Sequence, residues 1–480
     1  MNIKYRYLVL IIAIIASFNV FAQVGIGTTS PHPSSIFDVE SDSQGMLTPR
    51  MSTQQRTEIL QPAKGLLVFD TDLNAFYFFD GGQWLELGTE SKTRNNYKLV
   101  QSVADLADEL TAGGGSKYLL NPFFLYEING NVVFNFPIEL NGAYIKGEDS
   151  VEDKIINGTG STLFVGTTGG NLKRMTIVGN GQKIFNLNGD GSQNLIFLSV
   201  NFVNSSSVGS LSGFSIIFFN VGQFQNNSNG LIVSNSESFF FTLYTWATSN
   251  TGTFLTLNGA IDEVQLSNAR VVADAGEVGI NVSANPSISG SASIAQVTFA
   301  GAGNHVLGYS SGTYPNYHFT NKWFVSCHGI AQETDDNATG DINLSTAVGA
   351  GATTSFTGIG ISSRVKLAGA TTSSNLFRFT KSGNNRIVYD GLKSRSFNVS
   401  TSISFQASAN NTVFIFYLAK NGIIIENTRV YRQSSGVGDI GAVALVGSVF
   451  MNSNDFLELY VERYSGSGSL ETVSLNMIAE

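Results

Sequence analysis

The chain has 480 residues, a net charge near −9, and only 13% charged residues, well under the usual quarter. Hydrophobic residues still make up 42%, enough apolar area to exclude a disordered chain. With 27 Lys and Arg against 36 Asp and Glu, there is no electrostatic case for nucleic acid as a partner. The surface falls to Ser, Thr, Asn and the 51 glycines, which suits β-structure with many tight turns, spread over several domains.

In chain order, residues 1–22 read as an export signal. Lys4 and Arg6 supply positive charge, Leu8 to Ala16 an apolar core, and Val20-Phe21-Ala22 a small-residue cleavage site. The apolar run is too short for a comfortable membrane span, so the mature chain is expected without one, secreted or at the cell surface. Cys327 is the only cysteine, so no internal disulfide forms and packing must supply the stability.

Residues 23–90 carry two short strands, Leu66 to Phe69 and Ala75 to Phe79, around the turn "DTDLN", with a short helix over Thr53 to Leu60. Their apolar content is too small for a robust lone monomer. The "GIGT" opening and the residues Gly45, Pro49, Arg50, Met51, Pro62, Gly65 and Asp70 resemble a module found at the start of secreted bacterial fibre proteins and in phage tail fibres. The resemblance implies a collar or attachment piece.

Residues 91–117 read as a polar linker and a helix. Val103, Leu106, Ala107 and Leu110 share one helical face, Ser102 and Asp105 make a capping-box start, and glycines from Gly113 end it. A lone helix ahead of β-material is expected to plug the open end of a solenoid.

From 118 to 330 a phrase recurs. Leu172, Met175 and Ile177 follow the spacing i, i+3, i+5, as do Leu195, Leu198 and Val200, then Leu266, Ala269 and Val271, then Ile294, Val297 and Phe299. Weaker copies stand at Ile216, Phe219, Val221 and at Phe240, Leu243. This spacing is a strand, a bend and another strand, and a period in the low twenties marks a solenoid coil. The pattern resembles the right-handed parallel β-helix of pectate-lyase-like folds and phage tailspikes. Asn171 and Asn194 are expected to stack as an asparagine ladder.

Residues 331–350 read as a glycine-rich polar hinge, and 351–480 as an antiparallel sandwich of short strands. "YLAKNGIII", "GAVALVGSVFMNSNDFLELYVE" and "SLNMI" resemble the jelly roll of tumour necrosis factor and the complement globular heads, which implies a homotrimer. The expected fold class is all-β: a helix-capped β-helix followed by a jelly roll.

Little catalytic equipment is visible. His32, His305, His318 and His328 lack metal-ligand spacing, and no metal or cofactor is expected. Within the solenoid, Asp262 and Glu263 are the candidate catalytic pair for glycoside hydrolysis, though adjacent strand residues face opposite ways. "FFFTLYTWAT" would place Tyr244 and Trp246 on one side with Phe240 and Thr242; turned outward, their rings would bind sugars, and turned inward, they would pack in the interior or at a trimer contact. The reading is a trimeric, fibre-like adhesive protein that recognises a surface ligand, a glycan, without turnover. The alternatives are a tailspike-like polysaccharide-degrading hydrolase or lyase, and a mechanical spacer.

Overall fold

The computed structural model describes residues 23–88 and 96–480, so the expected export signal lies outside the described residues. The chain divides at Arg94 and Asn95 into two compact units.

In the first unit, Val24–Ile26 pairs in parallel with Phe37–Val39. A small sheet joins Arg50–Met51, Leu67–Asp70, Ala75–Phe79 and Trp84–Glu86. The helix Thr53–Thr57 starts at Ser52, whose hydroxyl accepts from Gln55 N while Gln55 reaches back to Ser52 N. The centre is ionic. Arg56 and Asp70 are both buried, with Nε to Oδ2 at 2.9 Å, and the guanidinium sits 3.9 Å from the Tyr77 ring centroid. Burial pushes the Asp70 carboxyl up, but Arg56, the Thr53 hydroxyl and two backbone N–H groups outweigh it and hold it below the usual range. Val68 is the one fully buried large apolar residue among the described residues here, while Ile36, Leu47 and Leu60 are more than four-fifths exposed. The buried apolar core of this unit is thus as small as its sequence suggests.

The second unit opens with a solenoid of about nine turns built from three parallel sheets. Sheet A runs from Tyr118–Leu119 to Asn304–Leu307, sheet B from Tyr97–Val100 to Trp323–His328, and sheet C from Asn131–Phe134 to 298–300. The first strand of sheet B therefore begins at Tyr97, inside the segment read as linker, and ahead of the expected start at 118.

The i, i+3, i+5 spacing has a backbone cause. At the corner between sheets B and C stand Arg174, Ser199, Val221, Leu243, Asn268 and Gln296, all with φ between 49° and 63°. One left-handed residue turns the strand and resets its in–out alternation. The inward positions are then two before it, one after and three after. Leu172, Met175 and Ile177, Leu266, Ala269 and Val271, and Ile294, Val297 and Phe299 are all buried as expected. The second copy is shifted. Leu172 pairs with Phe197, Met175 with Val200 and Ile177 with Phe202, so the inward set is Phe197, Val200 and Phe202, while Leu198 faces out. The next coil presents Phe219, Gly222 and Phe224; Val221 is the corner and is exposed.

Aromatic rings stack along the dry column. Phe197 and Phe219 lie 4.4 Å apart at 23°, and Phe202 and Phe224 5.1 Å apart at 18°. Each such buried ring contributes roughly 1.5–3 kcal/mol relative to exposure. Asn171 and Asn194 form no ladder, because Asn171 pairs with Ile196 and Asn194 with Ile216. The ladder stands at another bend. The Asn227 amide donates to Phe202 O at 3.0 Å and to Asn250 Oδ1 at 2.9 Å, and its oxygen accepts from Ser205 Oγ at 2.7 Å.

The open end is plugged as expected, by a 3-10 turn Val103–Leu106 running into the α-helix Ala107–Ala112. Asp105 Oδ2 accepts from Ser102 N at 2.9 Å. Leu106 joins the core, and Val103 and Leu110 pack on it. Ala107 is exposed, and the buried place goes to Glu109, which Lys98 Nζ and the Tyr126 hydroxyl reach at 2.8 Å each.

The C-terminal part is a jelly roll of two antiparallel sheets. One orders Gly340–Ser345, Leu470–Ala479, Arg395–Ala407 and Ile440–Met451. The other centres on Phe456–Ser465 between Arg386–Tyr389 and Thr412–Lys420. Gly340–Ser345 pairs in full register with Leu470–Ala479, so the middle of the expected 331–350 hinge is a strand of this sandwich. Phe379, Phe397, Phe405, Phe414 and Phe416 fill its core.

Candidate binding surfaces

The structure corrects the expected sugar platform. Tyr244 and Trp246 are each 1% exposed and stack in the solenoid core, Tyr244 at 5.4 Å and Trp246 at 5.8 Å from Phe224. Leu243 is the left-handed corner residue, so the alternation breaks there. Phe240 and Thr242 face out, and Tyr244 and Trp246 face in. Neither is available to a surface ligand.

Asp262 and Glu263 are both exposed beside an irregularity where Ile261 pairs with Ile288 and Glu263 with Ser291. Asp262 Oδ1 accepts from the Ser289 hydroxyl. Neither lines any of the three clefts described next, and no group of three or more His, Cys, Asp and Glu able to hold a metal occurs among the described residues. His328 is exposed at the end of the last sheet-B strand, and the neighbouring Cys327 thiol is pushed up to about 11 by burial.

Three clefts mark the second unit. One of about 450 Å³ is rimmed by Asn141, Thr168, Asn171, Gln193 and Asn194 and has no aromatic wall. A second, of about 420 Å³, lies on the outer face of sheet B between Phe218, Phe240, Thr242, Gln265, Ser267 and Asn268. The third, of about 440 Å³, lies where solenoid and jelly roll meet. Its lining is Pro315, Asn316, Tyr317, Ala331, Thr339, Ser374, Asn375, Leu376 and Phe377, without a charged side chain.

The junction around the third cleft is rigid. The half-buried Tyr317 ring lies 4.1 Å from buried Phe377 at 21°. Next along the chain, Arg378 is 1% exposed and donates to Trp323 O at 2.7 Å and Glu333 O at 3.3 Å. Its Nε stands 2.9 Å from Asp335 Oδ1, a charge contact misaligned for a hydrogen bond. Asp341, beneath the rim, accepts from the backbone N–H groups of Ser374 and Asn375 at 3.0 and 2.6 Å. Burial pushes the Glu333 carboxyl up to about 6, against the pull of the His318 and Phe319 N–H groups and Arg378. Burial also raises Asp390, which accepts from the Tyr314 hydroxyl at 2.8 Å. Sequence reasoning missed this cleft. "YPNY" and "NLFRF" lie some sixty residues apart, and only the junction brings them together.

Solenoid, jelly roll and N-terminal unit together resemble the layout of tail fibre and tailspike proteins. Residues 25–99 match the family described as a phage tail like trimerisation region, which supports a homotrimer. No curated protein matches the chain. Among solved structures, the enzymatically active domain of bacteriophage CBA120 tailspike protein 4 is 10% identical over 90% of this chain and 77% of its own, with a TM-score of 0.24. A tailspike protein of Acinetobacter baumannii bacteriophage Fri1, a capsular polysaccharide depolymerase, is 9% identical over 88% of this chain and 100% of its own, with a TM-score of 0.20. Murine APRIL is 8% identical over 30% of this chain and 98% of its own, with a TM-score of 0.21.

Proposed function

We propose that the protein is an exported, trimeric, fibre-like adhesive protein that holds an uncharged saccharide in the junction cleft without turning it over. The observation that carries this reading is the lining of that cleft. The half-buried Tyr317 ring, backed by Phe377, offers an apolar face, and Asn316, Asn375, Ser374 and Thr339 offer amides and hydroxyls around it. A sugar ring needs both, an apolar face for its C–H side and neutral hydrogen-bonding groups for its hydroxyls. Hydrolysis needs two carboxyl groups flanking one bond. The carboxyl groups next to the cleft are instead spent on structure: Asp341 holds the 374–375 backbone, and Glu333 holds the 318–319 backbone.

The test is a glycan panel applied to the whole mature chain and to Tyr317→Ala. Retention of a neutral glycan by the wild type, lost in the variant with no released oligosaccharide, is the expected result. Oligosaccharide release that Asp262→Asn or Glu263→Gln abolishes would establish the hydrolase instead. Equal retention by wild type and variant would remove the site.

A further inference from the structure

One wall of the junction cleft is a tight turn followed by a segment that a single buried carboxylate holds. Tyr317 N–H donates to Tyr314 O at 3.1 Å, and Asn316 between them stands at a left-handed φ of 69°. With Pro315 ahead of it, this is the pattern of a type II turn. The next two N–H groups, those of His318 and Phe319, donate to Glu333 Oε1 and Oε2 at 2.8 and 3.0 Å. Glu333 is 1% exposed, and its own N–H and C=O pair with Val325 at 3.0 and 2.9 Å. The last solenoid strand, Trp323–His328, thus fixes the main chain of Glu333, and the carboxylate passes that fixity to the residues just beyond Tyr317.

A carboxylate serves two N–H groups at once because both of its oxygens are acceptors, and the charge strengthens each bond. The neutral acid keeps one carbonyl oxygen. Its other oxygen carries a hydrogen, which meets an N–H group donor to donor. One N–H of the segment then lacks its partner, a cost that a shift of the segment relieves. Tyr317 moves with it, because Tyr317 adjoins both bonded residues.

We propose that Glu333 is the positioning residue of the junction cleft: ionised, it holds residues 317–319 with Tyr317 against Phe377, and protonated, it lets them shift, so that the cleft releases its ligand in acid. The identity of that ligand rests on the saccharide reading above; the hold on Tyr317 does not. Two bonds that do not titrate keep the change local: Tyr309 N–H donates to His318 O and the Thr313 hydroxyl to Phe319 O, each at 2.8 Å.

The charged and titratable groups around Glu333 come from every side. The segment brings the Tyr314 hydroxyl and the His318 ring, and the last strand brings the Cys327 thiol. The jelly roll brings Arg378, Asp390, Lys393 and Arg395, and the residues after Glu333 bring Asp335 and Asp336. Arg378 acts on the Glu333 carboxyl directly and is a permanent cation. Burial outweighs Arg378 and the two N–H groups and pushes that carboxyl up to about 6, so the change falls in mild acid. Burial also raises Asp390 and lowers His318, which makes these two the titrating neighbours to be told apart from it.

The test is hydrogen exchange of the full chain, read on residues 317–320 and corrected for the intrinsic effect of pH, with glycan retention measured beside it. Wild-type protection there is expected to fall by about fivefold or more between about pH 7.5 and about pH 5. Glu333→Gln has one acceptor oxygen, like the neutral acid, and is expected to show the low value at both. His318→Gln keeps its main-chain N–H, and Asp390→Asn leaves Glu333 untouched, so both are expected to keep the fall. Retention of a neutral glycan should drop in parallel in the wild type and be weak throughout in Glu333→Gln. An exchange change without retention at any pH supports the positioning role and removes the saccharide alone. The wild-type comparison stands even if Glu333→Gln does not fold. Equal wild-type protection at both pH values overturns the proposal, as does a fall that persists in Glu333→Gln or vanishes in His318→Gln or Asp390→Asn. So does glycan retention that holds steady while protection falls.

Discussion

The ring of Tyr244 lies over Gly222. A Cβ built on Gly222 would stand 2.4 Å from Tyr244 Cε1 and 2.1 Å from Val200 O. Gly222 occupies the middle slot of an inward triplet, where neighbouring coils carry Val200 and Tyr244 itself. The absent side chain makes the room that the tyrosine fills. Gly222→Ala is therefore expected to destabilise the solenoid by about 3 kcal/mol, at the upper end of overpacking costs because one obstacle is backbone. Thermal or urea unfolding measures it, and a change under about 0.5 kcal/mol would mean the two coils do not stack in this register.

Tyr244 itself separates core from ligand site. Its hydroxyl is buried without a well-formed hydrogen bond, so Tyr244→Phe is expected to leave stability unchanged or raise it by up to about 1 kcal/mol. Tyr244→Ala is expected to cost about 3–5 kcal/mol as a cavity. Glycan retention should follow stability alone in both. A Tyr244→Phe protein that is stable but loses a ligand would put the ring back on a surface.

These two residues also show what the sequence could tell. The period and the aliphatic triplets were legible because burial in a repeating coil demands apolar side chains wherever the backbone turns them inward. The frame was less legible. It depends on which residue adopts left-handed φ, and of the six corner residues only Asn268 belongs to a type that favours it. Ser199, Val221 and Leu243 give no such signal, so Leu195 and Leu198 looked as good as Phe197, and the sequence left both faces open to Tyr244. Coil length varies too, which is why Asn171 meets Ile196 and the buried ladder falls to Asn227 and Asn250. The junction cleft was illegible for another reason: its two halves come from different domains.

That ladder carries its own prediction. Asn227 is 1% exposed, and its amide bonds to the coil on either side. Asn227→Ala would leave Phe202 O and the Ser205 hydroxyl without their buried partner, an expected loss of about 3 kcal/mol over more than one hydrogen bond. Asn227→Ser at the same site, matching Ser205 in the coil below, is expected to recover part of it. Equal unfolding midpoints for the alanine and wild-type proteins would show that the ladder contributes nothing net.

Glu333 gives the junction a pH dependence of definite sign. Its carboxyl is pushed from 4.5 up to about 6 in the folded chain, so between those values the folded state binds the proton and the unfolded state does not. Stability from this group is fully present below about pH 4.5 and is lost as pH rises through about 6, by about 2 kcal/mol in total. Asp390, also raised by burial, acts in the same sense, whereas His318, lowered by burial, acts in the opposite one. Comparison of wild type with Glu333→Gln removes these shared contributions. The difference in unfolding free energy should slope between pH 4.5 and 6.5 and be flat above. A flat difference throughout would mean that the carboxylate is not desolvated at the junction.

Arg378 decides whether solenoid and jelly roll unfold together. It belongs by sequence to the jelly roll, yet its guanidinium donates to carbonyls at the last solenoid coil, Trp323 O and Thr320 O, and faces Asp335. Removing it strands those carbonyls and an acidic partner in a buried seam, a loss of about 3–5 kcal/mol for a broken buried charge. Because the cost falls on the seam and on neither core, Arg378→Ala is expected to split a single calorimetric transition into two, with the solenoid core keeping its own midpoint. Arg378→Lys keeps the charge but cannot span several carbonyls with one planar fork, and should lie between. A single transition at an unchanged midpoint in Arg378→Ala would show that the other contacts of the seam, among them the Tyr317–Phe377 stack and the Tyr314–Asp390 hydrogen bond, suffice to hold the two domains.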